Sequence, residues 1–482
     1  MRKTKIIATV GPASRKPETL ESLFLAGLDC ARLNFSHGTF EEHGEVITNL
    51  RRISERHQRP LAILQDLGGI KMRLGRIKGT FHLNVGDVLT IVPETASSSR
   101  DILPFPQPGA LKSLQKGNQV FISDGTICLE VLENVDGAVK AQVRHGGHVT
   151  SFKGVNLPGV DIDQPVLTRA DEMAIKFGVE QKVDWIAASF VGTAQDVRDV
   201  RKQIESNGGS IPVMAKLERT KAIQNLDSIL KEVDAIMIAR GDLGIEIPMS
   251  RVPIVQKEAV RKANEATRIS VIATQMMHSM MTSPYPTRAE ISDIANAVLD
   301  GCDAIMLSDE TAVGQFPVEV VQTADRTIQE AESIYPYYKN LASRDRTQAI
   351  ARAAADLVSE LNAQPIVLTS TGRAAREVSR FRPNANITVF SHSDAVLNRL
   401  CIAWGMNPAG VMPPGKDTTA LLRRVIQAAL RSGAVKESDV VTIVHGFLTG
   451  VTGTTNTIQV LDLREYMATA NQKSEAVPTG AR

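Results

Sequence analysis

Cysteine is scarce in this chain. The four present (Cys30, Cys128, Cys302 and Cys401, among 482 residues) are scattered, with no metal-ligand spacing. They read as buried, reduced thiols, which suits a reducing compartment. An excess of one charge sign is also missing: 55 Lys+Arg stand against 53 Asp+Glu, a net charge of +2. That balance offers no electrostatic reason to expect nucleic acid or a membrane surface as partner. No stretch approaches the roughly 18 apolar residues that span a bilayer. Met1-Arg-Lys-Thr-Lys5 has the charge of a secretory n-region, but the apolar run Ile6–Val10 behind it is too short and stops at Gly11-Pro12. A cytoplasmic location is expected. Low-complexity tracts are absent.

What is present is a soluble globular composition, 43% hydrophobic and 22% charged, in a chain too long for one core. Short apolar runs recur at Lys5–Gly11, Cys30–Ser36, Leu61–Leu67, Trp185–Phe190, Ile211–Glu218, Ala235–Asp242, Ile269–Met276 and Ala304–Thr311. Runs of this kind read as strands buried on both faces, as in a parallel sheet. Amphipathic segments such as Thr193–Ser206 and Ser250–Thr267 separate most of them. The pattern predicts a closed (β/α)8 TIM barrel built from residues 1–70 and 155–335. Between the two parts, residues 71–154 change to short strands with Gly/Asp turns (Phe81–Leu83, Val88–Val92, Val120–Ile122, Val139–Val143). These predict a small all-β lid inserted after the third barrel strand. Residues 336–470 predict an open α/β domain: a helix at Gln348–Leu361 and at least four parallel-type strands, at Pro365–Thr369, Ile387–Phe390, Val440–His445 and Thr457–Leu461. The polar tail 471–482 is expected to be disordered.

In such a barrel, chemistry collects at the C-terminal strand ends. The fifth run ends Lys216-Leu-Glu218, the sixth Arg240-Gly241-Asp242. Two carboxylates from adjacent strands suit Mg²⁺, which takes few protein ligands and keeps positions for water and substrate oxygens. The alternative is a structural ion pair with Lys216 or Arg240. A lysine beside such a metal suits a transferring phosphoryl group, whose charge spreads over several oxygens. The second run ends Arg32-Leu-Asn34-Phe-Ser36-His37, the third at Asp66, the seventh at Thr274-Gln-Met276, the eighth at Ser308-Asp-Glu-Thr311. Each could be a solvated strand end or a helix cap, but several strands end alike, and alternation puts Arg32, Asn34 and Ser36 on one face. Arg73 and Lys153 stand at the two junctions of the insert, and taken singly they read as surface charges. In the C-terminal region Thr369-Ser370-Thr371-Gly372-Arg373 is a hydroxyl-rich turn between strand and helix, an anion site or an ordinary cap.

These residues resemble the pyruvate kinase family from Thr4 to about Leu463. The resemblance rests on Thr4–Ser14, Arg32–Gly38, Lys153–Gly159, Ala239–Gly244, Ala273–Met276, Pro286–Glu290 and Ile305–Ala312. It implies the same three-part architecture, usually as a homotetramer, and transfer of phosphate from phosphoenolpyruvate to ADP, giving pyruvate and ATP. It further implies that Glu218 and Asp242 hold Mg²⁺ (or Mn²⁺) and that Lys216 stabilises the transferring group. Arg32 and Arg73 would meet phosphate, while Gly241, Asp242 and Thr274 would contact the organic substrate. Asn34, Phe35, Ser36 and His37, with Arg73 and Lys153, would face the nucleotide.

The chain departs from the family at one informative place. Many members read Asp-Thr-Lys-Gly-Pro-Glu-Ile-Arg where this one reads Asp66-Leu67-Gly68-Gly69-Ile70-Lys71-Met72-Arg73. The family's K⁺ region matches Asn34, Ser36, Asp66 and a Thr that is here Leu67, which has no hydroxyl. Lys71 brings an ammonium where the family has Glu, so no K⁺ requirement is expected. Gly69-Ile70, Gly192 and His278 also depart, with no firm account from sequence. The turn Thr369–Arg373 resembles the family's effector loop, which predicts activation by a phosphorylated metabolite, a sugar phosphate by class. A metal-dependent lyase or aldolase of related barrels, and a silent sugar-phosphate sensor, are the alternatives. Neither explains the lid with Arg73 and Lys153 together with Lys216, Glu218, Asp242 and Thr274.

Overall fold

The computed structural model describes residues 1–93, 98–162, 165–413, 417–446 and 455–468. The tail 471–482 lies outside them. Eight strands close a parallel barrel: Lys5–Val10, Cys30–Asn34, Ala62–Asp66, Trp185–Ala188, Val213–Leu217, Ala235–Ala239, Ile269–Ala273 and Ala304–Leu307. The eighth returns to the first through Lys5↔Ala304. Strand alternation sorts these apolar residues into two layers. Ile6, Leu33, Ile63, Ile186, Ile238 and Ile305 point outward beneath the helices. Ile7, Leu64, Met214, Met237, Val271 and Met306 fill the lumen.

Four barrel helices start with the same reciprocal cap, a Thr followed three residues later by an acid: Thr39/Glu42, Thr168/Asp171, Thr193/Asp196 and Thr287/Glu290. Each cap satisfies two otherwise orphaned amides and contributes about 1 kcal/mol.

Two strand ends stop earlier than the apolar runs predict. The sixth strand ends at Ala239, and Arg240–Glu246 is a short helix. The eighth ends at Leu307, and Asp309–Ala312 is a helical turn. There Glu310 is buried and accepts from the Ser308 and Met277 amides at 2.7 and 3.1 Å, while the Thr311 hydroxyl donates to Thr9 O. Glu310 and Thr311 therefore pin the loop rather than face the mouth.

The insert leaves after the third strand and its neck is closed by an Arg73↔Gly154 bridge. Beyond it stand a six-stranded sheet and a two-stranded ribbon around a separate core that includes Leu83, Phe105, Val120, Leu129 and Val143.

The C-terminal sheet runs Met406–Val411, Ile387–Ser391, Gln364–Thr369, Val440–Gly446, Thr455–Asp462. Four of these strands are parallel. The last pairs antiparallel with its neighbour, which corrects the expectation of a parallel-type strand at Thr457–Leu461. Met406–Val411 escaped sequence reading because Asn407-Pro408-Ala409-Gly410 has weak strand preference, and proline is confined to edges, where it sits here.

The lumen core continues into this domain through Ala354, Ala375, Leu397 and Ile402. Polar ties reinforce the joint. Lys5 Nζ donates to Met406 O at 2.7 Å and Trp185 Nε1 to Arg399 O at 3.0 Å. Asp303 accepts from Trp404 N and from the buried Arg382. Among the described residues no helix is long and apolar enough to cross a membrane.

Candidate active site

The mouth is built around Asp66, which is fully buried at the end of the third strand. Arg32 Nε donates to its Oδ2 at 2.6 Å, and Lys216 Nζ approaches its Oδ1 at 3.5 Å. Burial pushes the Asp66 carboxyl up, but Lys216 and then Arg32 outweigh it and hold the group below the usual carboxylate range. Lys216 Nζ also contacts Glu218 Oε1 at 2.7 Å and donates to Ser189 Oγ at 2.8 Å. Burial lowers this ammonium's pKa, yet Asp66 and Glu218 together raise it above its ordinary value, so it stays charged. The ion pair considered from sequence therefore exists. It leaves Glu218 Oε2, which among the described residues accepts only from Phe190 N at 2.7 Å.

Asp242 completes the group from the first turn of the helix after the sixth strand. Burial, then the Glu218 charge, pushes its carboxyl up to about 6, although Lys216 and Lys71 oppose the shift. Three carboxylates, Asp66, Glu218 and Asp242, are thus set against the cations Arg32, Lys216 and Lys71, which leaves no net positive charge for an anionic substrate until a divalent cation adds it. Among the described residues no cluster of three or more His, Cys, Asp or Glu could hold a metal. Two carboxylates with room for substrate oxygens fit Mg²⁺, which dehydrates reluctantly and demands few protein ligands.

Across the mouth Thr274 has φ 72° and Gln275 φ 55°. A β-branched residue in the left-handed region is a genuine outlier, and such strain concentrates at functional sites. The loop is held by Arg240, whose guanidinium donates to Thr274 O at 2.9 Å and pairs with Asp293 at 2.7 Å. Arg240 is therefore turned to its own scaffold and does not join Lys216 as a receiving cation. The Thr274 hydroxyl accepts from Gly241 N at 2.8 Å and donates to Ala273 O at 2.6 Å.

A cleft of about 740 Å³ opens beside this group, lined by Asn34, Phe35, Ser36, His37, Lys71 and Arg73. Asn34 Oδ1 accepts from Ser36 N at 3.1 Å. Phe35 stacks on His43 with ring centroids 4.2 Å apart and is packed against the outer core, so its ring anchors the loop. Arg73 donates to Phe152 O. Lys71 Nζ lies 3.7 Å from Asp124 Oδ1 of the insert. Lys153 is exposed at the same junction and does not line the cleft. Leu67 is turned away, buried in the core between barrel and helices.

The Thr369–Arg373 turn is separate, in the C-terminal sheet. Thr369 is buried and its Oγ1 accepts from Gly372 N at 3.0 Å, while Arg373 pairs with Asp345 at 2.6 Å.

The departures have local accounts. A Cβ on Gly69, at φ 63°, would lie 2.9 Å from Phe190 and Ser189. The lysine stem of Lys221 runs past Gly192, where a Cβ would lie 3.3 Å from its Cδ, on its way to Asp161 at 2.6 Å. His278 is exposed and opens a single 3-10 turn. Sequence reading missed Ser189, which bridges Lys216 and Leu67 O, and Thr9, which accepts from Arg32 at 2.9 Å. Both are hydroxyls at strand ends, a signal that could have included them.

Residues 1–321 match the family model described as pyruvate kinase, barrel domain, and residues 348–461 that of pyruvate kinase, alpha/beta domain. The chain belongs to the pyruvate kinase family. It is 38% identical over 473 residues to a pyruvate kinase of Thermococcus litoralis, covering 96% of this chain and 98% of that one. It is also 38% identical to pyruvate kinases of Geobacillus stearothermophilus and Staphylococcus epidermidis, covering 97% and 95% of this chain and 81% and 80% of theirs. Pyruvate kinases are phosphotransferases, so the chain is an enzyme of that class.

Proposed function

We propose that this pyruvate kinase transfers the phosphoryl group of phosphoenolpyruvate to ADP, giving pyruvate and ATP in glycolysis. The observation that carries the reading is Lys216, held charged between Asp66 and Glu218 beside the frustrated carboxylate of Asp242. Glu218 and Asp242 would hold Mg²⁺ or Mn²⁺, which supplies charge neutralisation for phosphate and enolate when bound.

The chain's own residues do the rest. Arg32, kept rigid by Asp66 and Thr9, presents its remaining N–H groups to phosphate, and Arg73 joins it from the insert. Lys216 stabilises the oxygens of the group in flight as the enol oxygen–phosphorus bond breaks and an ADP phosphate oxygen takes its place. The enolate left behind gains a proton at carbon. Thr274 has an alkoxide pKa far too high to be the acid, so it relays that proton through water. Gly241 and Asp242 contact the same organic half. Asn34, Ser36, His37 and Arg73 line the cleft that takes the nucleotide, with Phe35 anchoring its loop and Lys153 standing beside it at the insert's junction.

Finer readings accompany this one. Residues 71–154 act as a lid over a barrel made of 1–70 and 155–335, with 336–470 regulatory. Lys71 takes the place of K⁺ near Asn34, Ser36, Asp66 and Leu67; its charge already reaches Asp242, which supports the idea. The Thr369–Arg373 turn binds a phosphorylated effector, and the chain works in the cytoplasm as a homotetramer.

Pyruvate formation from phosphoenolpyruvate, assayed with and without ADP, tests the central reading. Strict dependence on ADP is expected. Pyruvate without ADP would indicate transfer of the phosphoryl group to water, as in a phosphatase, and none at all a lyase acting on another substrate or a silent sensor.

A further inference from the structure

Two guanidinium groups where the barrel floor meets the C-terminal domain have no direct hydrogen-bonding or ion-pair partner among the described residues, although Asp184 and Asp234 act on Arg399 from a distance. Arg376, on helix Arg373–Ser379, and Arg399, on helix Asp394–Leu400, make no side-chain hydrogen bond or ion pair among the described residues. Arg399 Nε is buried and unbonded. Both line one cavity of about 160 Å³, together with Arg201, Ser210, Asp234 and Thr371. The sole carboxylate there, Asp234, is already engaged by Arg201 at 3.0 Å and by Val213 N at 3.2 Å. Three guanidinium groups therefore line the cavity with Asp234, and the other acid that acts on Arg399, Asp184, is already paired with Arg51 at 2.7 Å. Burial, then the charge of Arg376, also holds the adjacent Arg268 below the usual arginine range.

Proteins rarely leave partly buried guanidinium groups uncompensated. The cavity has room for about five waters at ~30 Å³ each, ample for a tetrahedral oxyanion. Planar N–H forks suit two of its oxygens, and the Ser210 and Thr371 hydroxyls are free to donate to the others.

We propose that this cavity binds a small phosphate-bearing anion that ties the barrel floor to the C-terminal domain. The site borders the turn around Arg373 and shares Thr371 with it, but it does not use the Arg373 guanidinium, which is taken by Asp345 and Glu377. It also has a route to the mouth. Asp234 directly precedes the sixth strand and caps the start of the fifth, and these two strands deliver Lys216, Glu218 and Asp242 at their far ends.

Calorimetric titration of the full chain with inorganic phosphate, and in a second arm with glycerol 3-phosphate, tests the site. Wild type is compared with Arg376→Gln, Arg399→Gln and Arg373→Gln, so that phosphate binding at the mouth is common to all four. The first two variants are expected to lose one binding event, or to weaken it by roughly tenfold or more, as one charge-assisted contact warrants. Arg373→Gln should keep it. Tighter binding of the ester than of free phosphate would mark a metabolite as the occupant, and the reverse would mark phosphate itself. Four superimposable titrations, or a loss confined to Arg373→Gln, would overturn the proposal. Arg376 is only half-buried, so its variant keeps the test intact should Arg399→Gln fail to fold.

Discussion

Lys216 and Asp66 meet at 3.5 Å although their strands, the fifth and the third, are not neighbours in the barrel. The fourth strand lies between them and contributes Ser189, which accepts from the same ammonium. One lysine thus ties three consecutive strand ends. Replacing it with methionine should lower kcat by about 10²–10³, the usual effect of losing one transition-state charge contact. The KM for phosphoenolpyruvate should move much less. Asp66 would keep only Arg32, so thermal stability should also fall, by about 3–5 kcal/mol for a broken buried pair. Lys216→Arg should recover stability without recovering kcat. Steady-state kinetics and denaturant melts read both effects.

The Asp242 carboxyl sets a pH dependence whose sign is unusual for an acid. Its folded pKa, about 6, lies above the ordinary value of 3.8, so the folded state holds its proton more tightly. Without metal, its contribution to stability is present at low pH and is lost as pH rises from about 4 through 6. Magnesium binds the ionised form and should reverse the trend. Melting temperatures with and without Mg²⁺ should differ little at pH 5 and clearly at pH 7.5, and Asp242→Asn should abolish the difference. A gain from Mg²⁺ that is equal at both pH values would contradict the carboxylate assignment.

Lys71 predicts indifference to K⁺. Rates in tetramethylammonium should match those in KCl. Lys71→Glu should make the enzyme K⁺-stimulated, with a deficit without K⁺ of about ten- to hundredfold, the worth of one charge-assisted contact. A strong rise of the wild-type rate with KCl would refute this.

Arg240 predicts a scaffold effect. Its hydrogen bond to Thr274 O and its pair with Asp293 hold a β-branched residue at positive φ. Lysine lacks the planar fork, so Arg240→Lys should relax the loop. We expect kcat to drop and stability to change by no more than about 1 kcal/mol, as for the loss of one hydrogen bond partly replaced.

Much of this was legible in the residues. Unbroken apolar runs marked the barrel strands because strands buried on both faces have no polar alternation. Lys216 and Glu218 share a face by spacing alone. Other features were hidden for physical reasons. Arg240 reads as a cation beside Asp242, but only the tertiary position of Asp293 shows where it points. Glu310 and Thr311 look like mouth residues, yet a helical turn directs them into backbone hydrogen bonds. Met406–Val411 carries little strand preference and forms because the sheet edge offers its neighbours partners. The pairing of Lys71 with Asp124 spans more than fifty residues of sequence and has no local signal.

The most direct measurement follows the phosphorus atom. Phosphoenolpyruvate, ADP, Mg²⁺ and enzyme are observed by phosphorus NMR, with Lys216→Met run in parallel. The account predicts that the phosphoenolpyruvate signal decays into the terminal phosphate of ATP with wild type and persists with the variant. Phosphorus appearing as inorganic phosphate, or equal transfer by both proteins, would contradict it.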